Sequence, residues 1–377
     1  MVDTGIAGEV PDFRRSAADP ESRVIATAVT NPCAREATDN VGHGTHVAGL
    51  IAGNSLTLHQ DNPNYGRHMG VAPEADLVNV KVADEDGNTT VLDVIYGLQF
   101  VVDHQDDYNI RVINLSLTST VAESYRTDPL DAAVEQAWNK GIVVVTAAGN
   151  EGGAADAVSY APANDPYVIS VGGVDDRGTA ATGDDQLAPW SSRGTTQDGV
   201  SKPDVLAPGT RLVGTNAIRS DFNSECPTCL TSYYRYFRMG GTSMSAAVVS
   251  GVVALMLEEH PDWTPDQVKG ALTSTLVNVP GSGGEVSAPA ALNATQLSSN
   301  EGLQSNDLID SATGEIDWAR ASFRRASFRD ASGSPLDANF SRASFRCDCS
   351  LISGGSIDPK RASFRRASFR RTAEFDR

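Results

Sequence analysis

The sequence predicts an α/β fold in which a mostly parallel sheet lies between helices on both faces. Short runs of β-branched apolar residues alternate with segments of helical spacing before residue 292. Continuous apolar runs are typical of strands buried on both sides, and regular alternation of strands and helices builds parallel sheets. The chain has 377 residues, enough for one large core and an appendage. We therefore expect a three-layer α/β domain followed by a segment of different character.

Strand and helix signals follow one another along the chain. The predicted strands are the apolar runs at 76–82, 112–116, 142–148 and 168–172, and helical spacing predicts helices at 91–103, 130–140 and 265–275. Asp128 and Pro129 supply an N-cap and an N1 proline for the second helix. Thr264 and Gln267 form a capping box for the third. The core is expected to close near Leu292.

A further helix, apolar almost all round, follows Ser243. Val248 and Val252 recur at four-residue spacing, and neighbouring valines widen the apolar face, which is typical of a buried helix. The glycines before it allow the Ser243 hydroxyl to stand at the helix N-terminus, where backbone N–H groups and the dipole favour a developing negative charge. Ser243 is a candidate nucleophile, with a helix N-cap as the alternative.

His43 stands at the start of another helix of small residues. Its side chain has a pKa suited to taking a proton from a serine and returning it near neutral pH. His43 and His46 together are an alternative metal pair, but they lack the spacing and the glutamate of the His-Glu-x-x-His zinc motif.

Two further polar residues follow predicted strands. Asp3 precedes a glycine turn, and a buried carboxylate beside a histidine would hold its tautomer. The alternatives are an ordinary turn or an aspartic-protease triplet, which needs a second carboxylate. Asn150 lies among glycines after a buried run, where its amide could point at an oxyanion together with the Ser243 N–H. A turn asparagine is the alternative.

These four stretches together resemble the subtilases, the subtilisin-like serine proteases of peptidase family S8. The matching sequences are Asp-Thr-Gly-Ile at 3–6, Gly-His-Gly-Thr-His-Val-Ala-Gly at 42–49, Ala-Ala-Gly-Asn-Glu-Gly at 147–152 and Gly-Thr-Ser-Met-Ser at 241–245. Weaker similarity lies at 70–73, 191–194 and 202–209. The resemblance covers about 1–292 and implies a subtilisin-like peptidase domain there, acting as a serine endopeptidase.

The resemblance also implies a role for each residue. Ser243 is the nucleophile, His43 the general base and then acid, Asp3 the residue that orients His43, and Asn150 the side-chain oxyanion donor. Extended protein or peptide substrates are expected to pair with the backbone by β-augmentation. The residues expected to bind them are Leu115, Ser116, Leu117, Ala147, Ala148 and Gly149.

The start of the chain and the cofactors carry further expectations. Only Met1 and Val2 precede Asp3, so we expect the first strand to be largely missing, the domain to be N-terminally truncated and Asp3 to lie on a frayed terminus.

The resemblance implies a secreted, extracellular enzyme, although no signal peptide is present in the chain. No cofactor is expected for the chemistry. A structural calcium ion is compatible with the family, but the ligands are left open because the loop at 54–69 lacks the usual pattern.

Charge is distributed unevenly along the chain. Residues 320–377 contain 13 Lys and Arg but 6 Asp and Glu, so they carry +7, and residues 1–319 carry −25 of the overall −18. An acidic body argues against nucleic acid as the partner of the catalytic domain. No run of 18 apolar residues is present, so no transmembrane segment is expected.

The segment 293–377 is expected to be a basic tail of low order. Arg-Ala-Ser-Phe-Arg occurs five times, starting at Arg320, Arg325, Arg342, Arg361 and Arg366. A period of five matches neither a helical stripe nor strand alternation. The tail could bind an anionic surface or nucleic acid, or be a solvated extension. The alternative function is a catalytically weak or truncated subtilase fold whose tail mediates surface attachment.

The chain contains five cysteines, Cys33, Cys226, Cys229, Cys347 and Cys349. The Cys-Pro-Thr-Cys sequence at 226–229 could be a local disulfide, a redox pair or half of a zinc site. No second Cys-x-x-Cys and no matching histidine pair follow it, so a disulfide that pins its loop is favoured.

Overall fold

A computed structural model describes residues 1–280 and 283–318. The strands are β1 Val2–Asp3, β2 Val24–Val29, β3 Leu77–Lys81, β4 Val112–Leu115, β5 Val143–Ala147, β6 Ile169–Asp175, β7 Gln186–Leu187, β8 Gly194–Thr195, β9 Ser201–Lys202, β10 Val205–Pro208, β11 Leu212–Thr215, β12 Leu230–Thr231, β13 Tyr236–Met239, β14 Val277–Val279 and β15 Gly283–Glu285. The α-helices are α1 His43–Ala52, α2 Val91–Asp103, α3 Gln105–Tyr108, α4 Pro129–Asn139, α5 Asp221–Glu225, α6 Thr242–Glu259, α7 Pro265–Ser274 and α8 Ala288–Leu292. Short 3-10 helices lie at Pro11–Phe13, Thr182–Asp184 and Pro227–Cys229.

A ten-stranded sheet runs through the centre of the described chain. Its order is β14-β15-β10-β6-β5-β4-β1-β3-β2, with β7 paired to β6. The β14–β15 and β6–β7 pairs are antiparallel, and the other neighbours are parallel. A three-stranded antiparallel sheet, β11-β13-β12, and the β8–β9 pair lie outside it. The predicted mostly parallel sheet is confirmed.

Helices cover both faces of this sheet. The helices α2 and α4 pack together on one face, while α6 packs under β4, β5, β6 and β10 and also contacts α1. By length and composition alone, α6 is the one described helix that could cross a membrane, yet 72% of it is buried inside the protein. It is therefore placed as a core helix, and the predicted three-layer architecture is confirmed.

Sequence signals at two helix starts have the expected geometry. The Asp128 side chain accepts a hydrogen bond from Leu130 N at the start of α4. At α7 the Thr264 side chain accepts from Gln267 N, and Gln267 Oε1 accepts from Thr264 N at 2.8 Å. Both caps satisfy backbone donors that a helix leaves unpaired at its first turn.

The first strand is short, but the expectation of a frayed Asp3 is wrong. Val2 pairs with β3 on one side and β4 on the other, and the Met1 amino group donates to Val78 O at 2.8 Å. Val82 N donates to the Asp3 carbonyl at 3.0 Å. Asp3 is only 1% exposed. Hydrogen bonding to neighbours on both sides, in the middle of the sheet, holds these residues.

The core does not close near Leu292. Leu308, Ile309 and Ile316 are buried and belong to the main apolar cluster. Asn306 N donates to the Glu135 carboxylate on α4 at 2.9 Å. The packed part of the chain thus continues beyond the predicted boundary, while the division into a 1–292 domain and a 293–377 tail stays a prediction. The Arg-Ala-Ser-Phe-Arg repeats lie outside the described residues.

Cys226 and Cys229 form the favoured local disulfide. The bond closes the turn between α5 and β12, in the loop that separates β11 from β13. A disulfide removes both thiols as metal ligands, so this Cys-x-x-Cys is not half of a zinc site.

Candidate active site

Asp3 and His43 form a buried pair at the carboxyl edge of the sheet. Asp3 ends β1 and His43 opens α1. His43 Nδ1 lies 2.7 Å from Asp3 Oδ1. Asp3 Oδ1 also accepts from Thr4 N at 2.7 Å. The pair has the contact that would fix one histidine tautomer, with the proton on Nδ1.

Glycines let α1 approach β1 this closely. Gly42, the N-cap of α1, has a φ of +102°, a left-handed value that favours glycine. A Cβ on Gly44 would lie 2.1 Å from the Gly5 carbonyl oxygen and 3.1 Å from Asp3 Oδ1. Any side chain at Gly44 would therefore push the helix away from Asp3.

A second buried carboxylate, Asp39, was missed by the sequence analysis. Its Oδ1 accepts from Gly42 N at 2.8 Å and from Thr4 Oγ1 at 2.9 Å, and its Oδ2 accepts from Thr45 N at 2.8 Å. The signal in the sequence was an aspartate just before a predicted helix, which is typical of a cap residue.

The charges around His43 determine its protonation. Burial by itself lowers the pKa of His43, but the charge and hydrogen bond of Asp3, with the charge of Asp39, raise that pKa above its usual value. His46 is equally buried, and burial followed by the proximity of His43 lowers its pKa to about 3. The two histidines therefore have opposite tendencies, and His43 is the one prepared to accept a proton.

Ser243 is the second residue of α6 and is buried. Its Oγ donates to the Ser116 carbonyl oxygen at 3.4 Å, and Ser116 Oγ donates to the Ser243 carbonyl oxygen at 3.1 Å. These two bonds join the start of α6 to the end of β4. The serine thus stands at a helix N-terminus, as predicted from the glycines that precede it.

Asn150 is hydrogen-bonded to Thr242, the residue before Ser243. Its Oδ1 accepts from Thr242 N at 2.9 Å and from Thr242 Oγ1 at 3.2 Å. Gly149 N in turn donates to Thr242 Oγ1 at 3.1 Å. Thr242, which the sequence analysis did not single out, therefore joins the loop after β5 to the start of α6 and fixes the amide plane of Asn150.

The six residues predicted to bind substrate lie at the ends of β4 and β5, but most of their backbone is already paired. Leu115 pairs with Val2 and Thr146, and Ala147 pairs with Val171. Ala148 N donates to the Val171 carbonyl, and the Gly149 carbonyl accepts from Ser192 N. Leu115, Ala147, Ala148 and Gly149 are therefore committed to hydrogen bonds within the protein. Ser116 and Leu117 follow the end of β4 and are buried, so the binding of substrate by these six residues stays a prediction.

The described residues contain no evident metal centre. Within 1–280 and 283–318, no group of three or more His, Cys, Asp or Glu side chains could hold an ion. His43 Nδ1 faces Asp3, while His46 Nε2 lies 3.0 Å from the Phe237 carbonyl oxygen. The alternative of a metal bound by this histidine pair is thus not supported, and a structural calcium ion stays a prediction without assigned ligands.

A mostly parallel sheet with a buried Asp–His pair and a helix N-terminal serine at its carboxyl edge is the arrangement of an α/β serine hydrolase. The chain belongs to the subtilase family, since the subtilase family model matches residues 1–304.

Relatives and solved structures agree with this family. Serine protease AprX of Bacillus subtilis (strain 168) is 37% identical over 277 residues, covering 72% of this chain and 59% of AprX. Subtilisin E of the same strain is 34% identical over 280 residues, covering 73% of this chain and 59% of its own length. The chain thus spans 59% of the length of these two relatives.

Two crystal structures of subtilisin-like enzymes share the fold. A cold-adapted subtilisin-like serine proteinase has a TM-score of 0.55 and 27% identity, covering 76% of this chain and 84% of its own. Fervidolysin from Fervidobacterium pennivorans, a keratinolytic enzyme related to subtilisin, has a TM-score of 0.58 and 28% identity, covering 78% of this chain and 42% of its own.

Proposed function

We propose that this chain is a serine endopeptidase that hydrolyses peptide bonds in extended protein substrates through an acyl-enzyme on Ser243. The observation that carries the proposal is the 2.7 Å contact between Asp3 Oδ1 and His43 Nδ1, in a chain that also places Ser243 at the N-terminus of a buried helix. A buried carboxylate in this position holds the imidazole and stabilises the imidazolium that forms.

The first half of the reaction acylates the serine. Ser243 Oγ rotates from the Ser116 carbonyl towards His43 Nε2 and attacks the carbonyl carbon of the substrate, and His43 takes the hydroxyl proton. The tetrahedral intermediate collapses when the C–N bond breaks and His43 gives that proton to the leaving amine. Water then attacks the acyl-enzyme by the same route, which releases the carboxylic product and restores Ser243.

Asn150 is proposed as the side-chain donor to the oxyanion. Because Thr242 holds its Oδ1, the Nδ2 group lies at the opposite end of a fixed amide. That group and the Ser243 N–H would share the negative oxygen of the tetrahedral intermediate. A donor fixed before the reaction needs no reorganisation when the charge develops.

The substrates are proposed to be proteins or peptides in an extended conformation, with Ser116 and Leu117 as the nearest backbone for β-augmentation. The acidic body, −25 over residues 1–319, supports a catalytic domain without a nucleic-acid partner. An extracellular location is proposed because Cys226 and Cys229 form a disulfide, and disulfides persist mainly in oxidising compartments. Attachment through the basic tail involves residues outside the described part of the chain.

Labelling with a fluorophosphonate probe tests this function. We expect the chain to be labelled and to cleave a chromogenic peptide, with both activities lost in Ser243→Ala. His43→Ala should remove cleavage while circular dichroism stays unchanged. A folded chain that neither reacts with the probe nor cleaves peptide would contradict the proposal.

A further inference from the structure

Asp39 lies between the two segments that bring Asp3 and His43 together. It is 5% exposed. One carboxylate oxygen accepts from Thr4, the residue after Asp3, and from Gly42, the residue before His43, while the other oxygen accepts from Thr45, two residues after His43. A single side chain therefore spans the end of β1 and the start of α1.

Thr4 completes the connection. Its hydroxyl donates to Asp39 Oδ1 at 2.9 Å and accepts from Gly44 N at 2.9 Å. Gly44 directly follows His43, so the residues on both sides of His43 are tied to the residue after Asp3. Removal of the Asp39 carboxylate would free Gly42 N, Thr45 N and the Thr4 hydroxyl at the same time.

The loop that carries Asp39 is itself held by β3. The buried Lys81 Nζ donates to the Thr38 carbonyl at 2.7 Å and to Asn40 Oδ1 at 3.0 Å. Lys81 is also the strand partner of Asp3. The strand β3 therefore supports both Asp3 and the loop that carries the Asp39 carboxylate.

We propose that Asp39 is a positioning residue that holds His43 against Asp3 in the geometry needed for proton transfer. The inference rests on the proposed function, because it assigns Asp39 a part in the same reaction. Asp39 acts through Thr4 and the first turn of α1, and no contact with the substrate is required. Small errors in the placement of a general base lower kcat strongly even when the binding of substrate is unaffected.

Asp39 also acts on His43 through its charge. Two carboxylates surround His43, Asp3 from β1 and Asp39 from the preceding loop. His46, on the same helix, lies close to His43, and the Phe222 ring of α5 lies nearly perpendicular to the His43 imidazole at a centroid distance of 6.4 Å. Since the Asp39 carboxylate stabilises the imidazolium, its neutralisation should lower the pKa of His43.

Asp39→Asn is the main test, with Asp12→Asn as a matched control. Asp12 is also a buried carboxylate with bonds to three segments, but its partners are Thr57, Thr215 and Tyr236. We expect Asp39→Asn to lower kcat about 10–100-fold with KM changed by less than about threefold. The acidic limb of its kcat/KM profile should move to lower pH, because one of the two carboxylates that raise the pKa of His43 is gone. Asp12→Asn should keep the pH profile of the parent chain.

Thr4→Val and Thr4→Ser provide a second test that leaves the charge in place. Thr4→Val should reduce kcat, whereas Thr4→Ser should keep the kcat of the parent, because only serine retains the hydroxyl between Asp39 and Gly44. The role of Asp39 is overturned if Asp39→Asn keeps the kcat and pH profile of the parent. If Asp39→Asn does not fold, the comparison of Thr4→Val with Thr4→Ser is the test. Equal kcat values for these two variants overturn the role of Asp39. An inactive parent would instead contradict the proposed function.

Discussion

The proposed role of Asn150 gives the two ends of its amide different functions. The oxygen accepts from Thr242 N and Oγ1, and the nitrogen carries the N–H groups that a donor to the oxyanion requires. Asparagine is the residue that can do both, because its side chain carries an acceptor and two donors in one plane. Aspartate has the same shape but keeps the acceptor alone.

Asn150→Asp therefore separates the two uses. The variant should keep its bonds to Thr242 and its stability, yet lose the donor and repel the oxyanion. In subtilisin itself, loss of the corresponding donor costs about 10²–10³-fold in kcat, and we expect a similar loss here with little change in KM. Steady-state kinetics of Asn150→Asp and Thr242→Ser, the latter retaining the hydroxyl, provide the comparison. An Asn150→Asp variant whose kcat stays within about threefold of the parent, far from the expected loss, would contradict the role of Asn150 as oxyanion donor.

Single residues differ in how well the sequence reveals them. Asp3, His43, Asn150 and Ser243 each follow a strand-like run or precede a small-residue helix with glycines beside them, so the local pattern drew attention to each. Asp39 lacks such a pattern, because a polar residue before a helix is common and its burial depends on contacts with β1. Its role became visible only from the hydrogen bonds that cross between segments.

The helix α6 illustrates how a whole element is positioned. It lies under four strands of the sheet and against α1. Gly251, in its middle, faces Val71, and a Cβ at Gly251 would lie 2.5 Å from Val71 Cβ. Val71 is fixed by a hydrogen bond from its backbone N to the Leu50 carbonyl at 3.0 Å. The glycine thus allows the loop after α1 to pass over α6.

Gly251→Ala should therefore destabilise the protein although alanine is the better helix former. Alanine favours the helix by about 1 kcal/mol, whereas overpacking a well-filled core costs about 1–3 kcal/mol. Urea unfolding in a Ser243→Ala background, which prevents self-digestion, measures the balance. Gly183→Ala, where a new methyl meets nothing within 4 Å, is the control. Adding Val71→Gly to Gly251→Ala should recover part of the lost stability, because it removes the side chain that the new methyl meets. A Gly251→Ala variant that is more stable than its parent would show that this contact relaxes freely.

Elements of the central sheet were easier to predict than those outside it. The strands β3, β4, β5 and β6 are rich in valine and isoleucine and are buried almost throughout, so the apolar runs in the sequence indicate them. The strands β11 and β13 are four residues each; β11 has two half-buried and two buried residues, and β13 has one exposed residue among three buried ones, so no periodic pattern marks them. These two strands pair across a long loop, and the local sequence carries little information about contacts between residues so far apart in the chain.

At the scale of the whole molecule, α4 brings several carboxyl groups into the interior. Asp128, Asp131, Glu135 and Asp165 are all buried. Burial is the largest cause that raises their pKa values. For Asp128, Asp131 and Glu135 the charges of neighbouring carboxyls raise the pKa further, and the pKa of Asp128 reaches about 7. The same region receives residues 306–316 from the end of the described chain, so the part of the interior that the sequence did not predict contains these buried carboxyl groups.

Asp131→Asn should make the protein more stable, and increasingly so at higher pH. A carboxyl whose pKa is raised on folding binds its proton in the folded state, so its stabilising contribution is full below the usual pKa near 4 and is lost as the pH rises through the raised value. The advantage of Asp131→Asn should therefore grow by up to about 1.4 kcal/mol per pH unit between pH 5 and 8.

Unfolding free energies in urea, measured at several pH values in the Ser243→Ala background, test this dependence. Asp61→Asn is the control, because the Asp61 side chain is 93% exposed and its neutralisation should change little at any pH. A stability difference between Asp131→Asn and its parent that stays constant from pH 5 to 8 would mean that Asp131 is ionised in the folded state throughout. The buried carboxyl groups would then be held by the surrounding dipoles and by Lys202 and Lys269, which donate to the carbonyls of Asp165 and Pro166, and the acidic interior would cost the fold little.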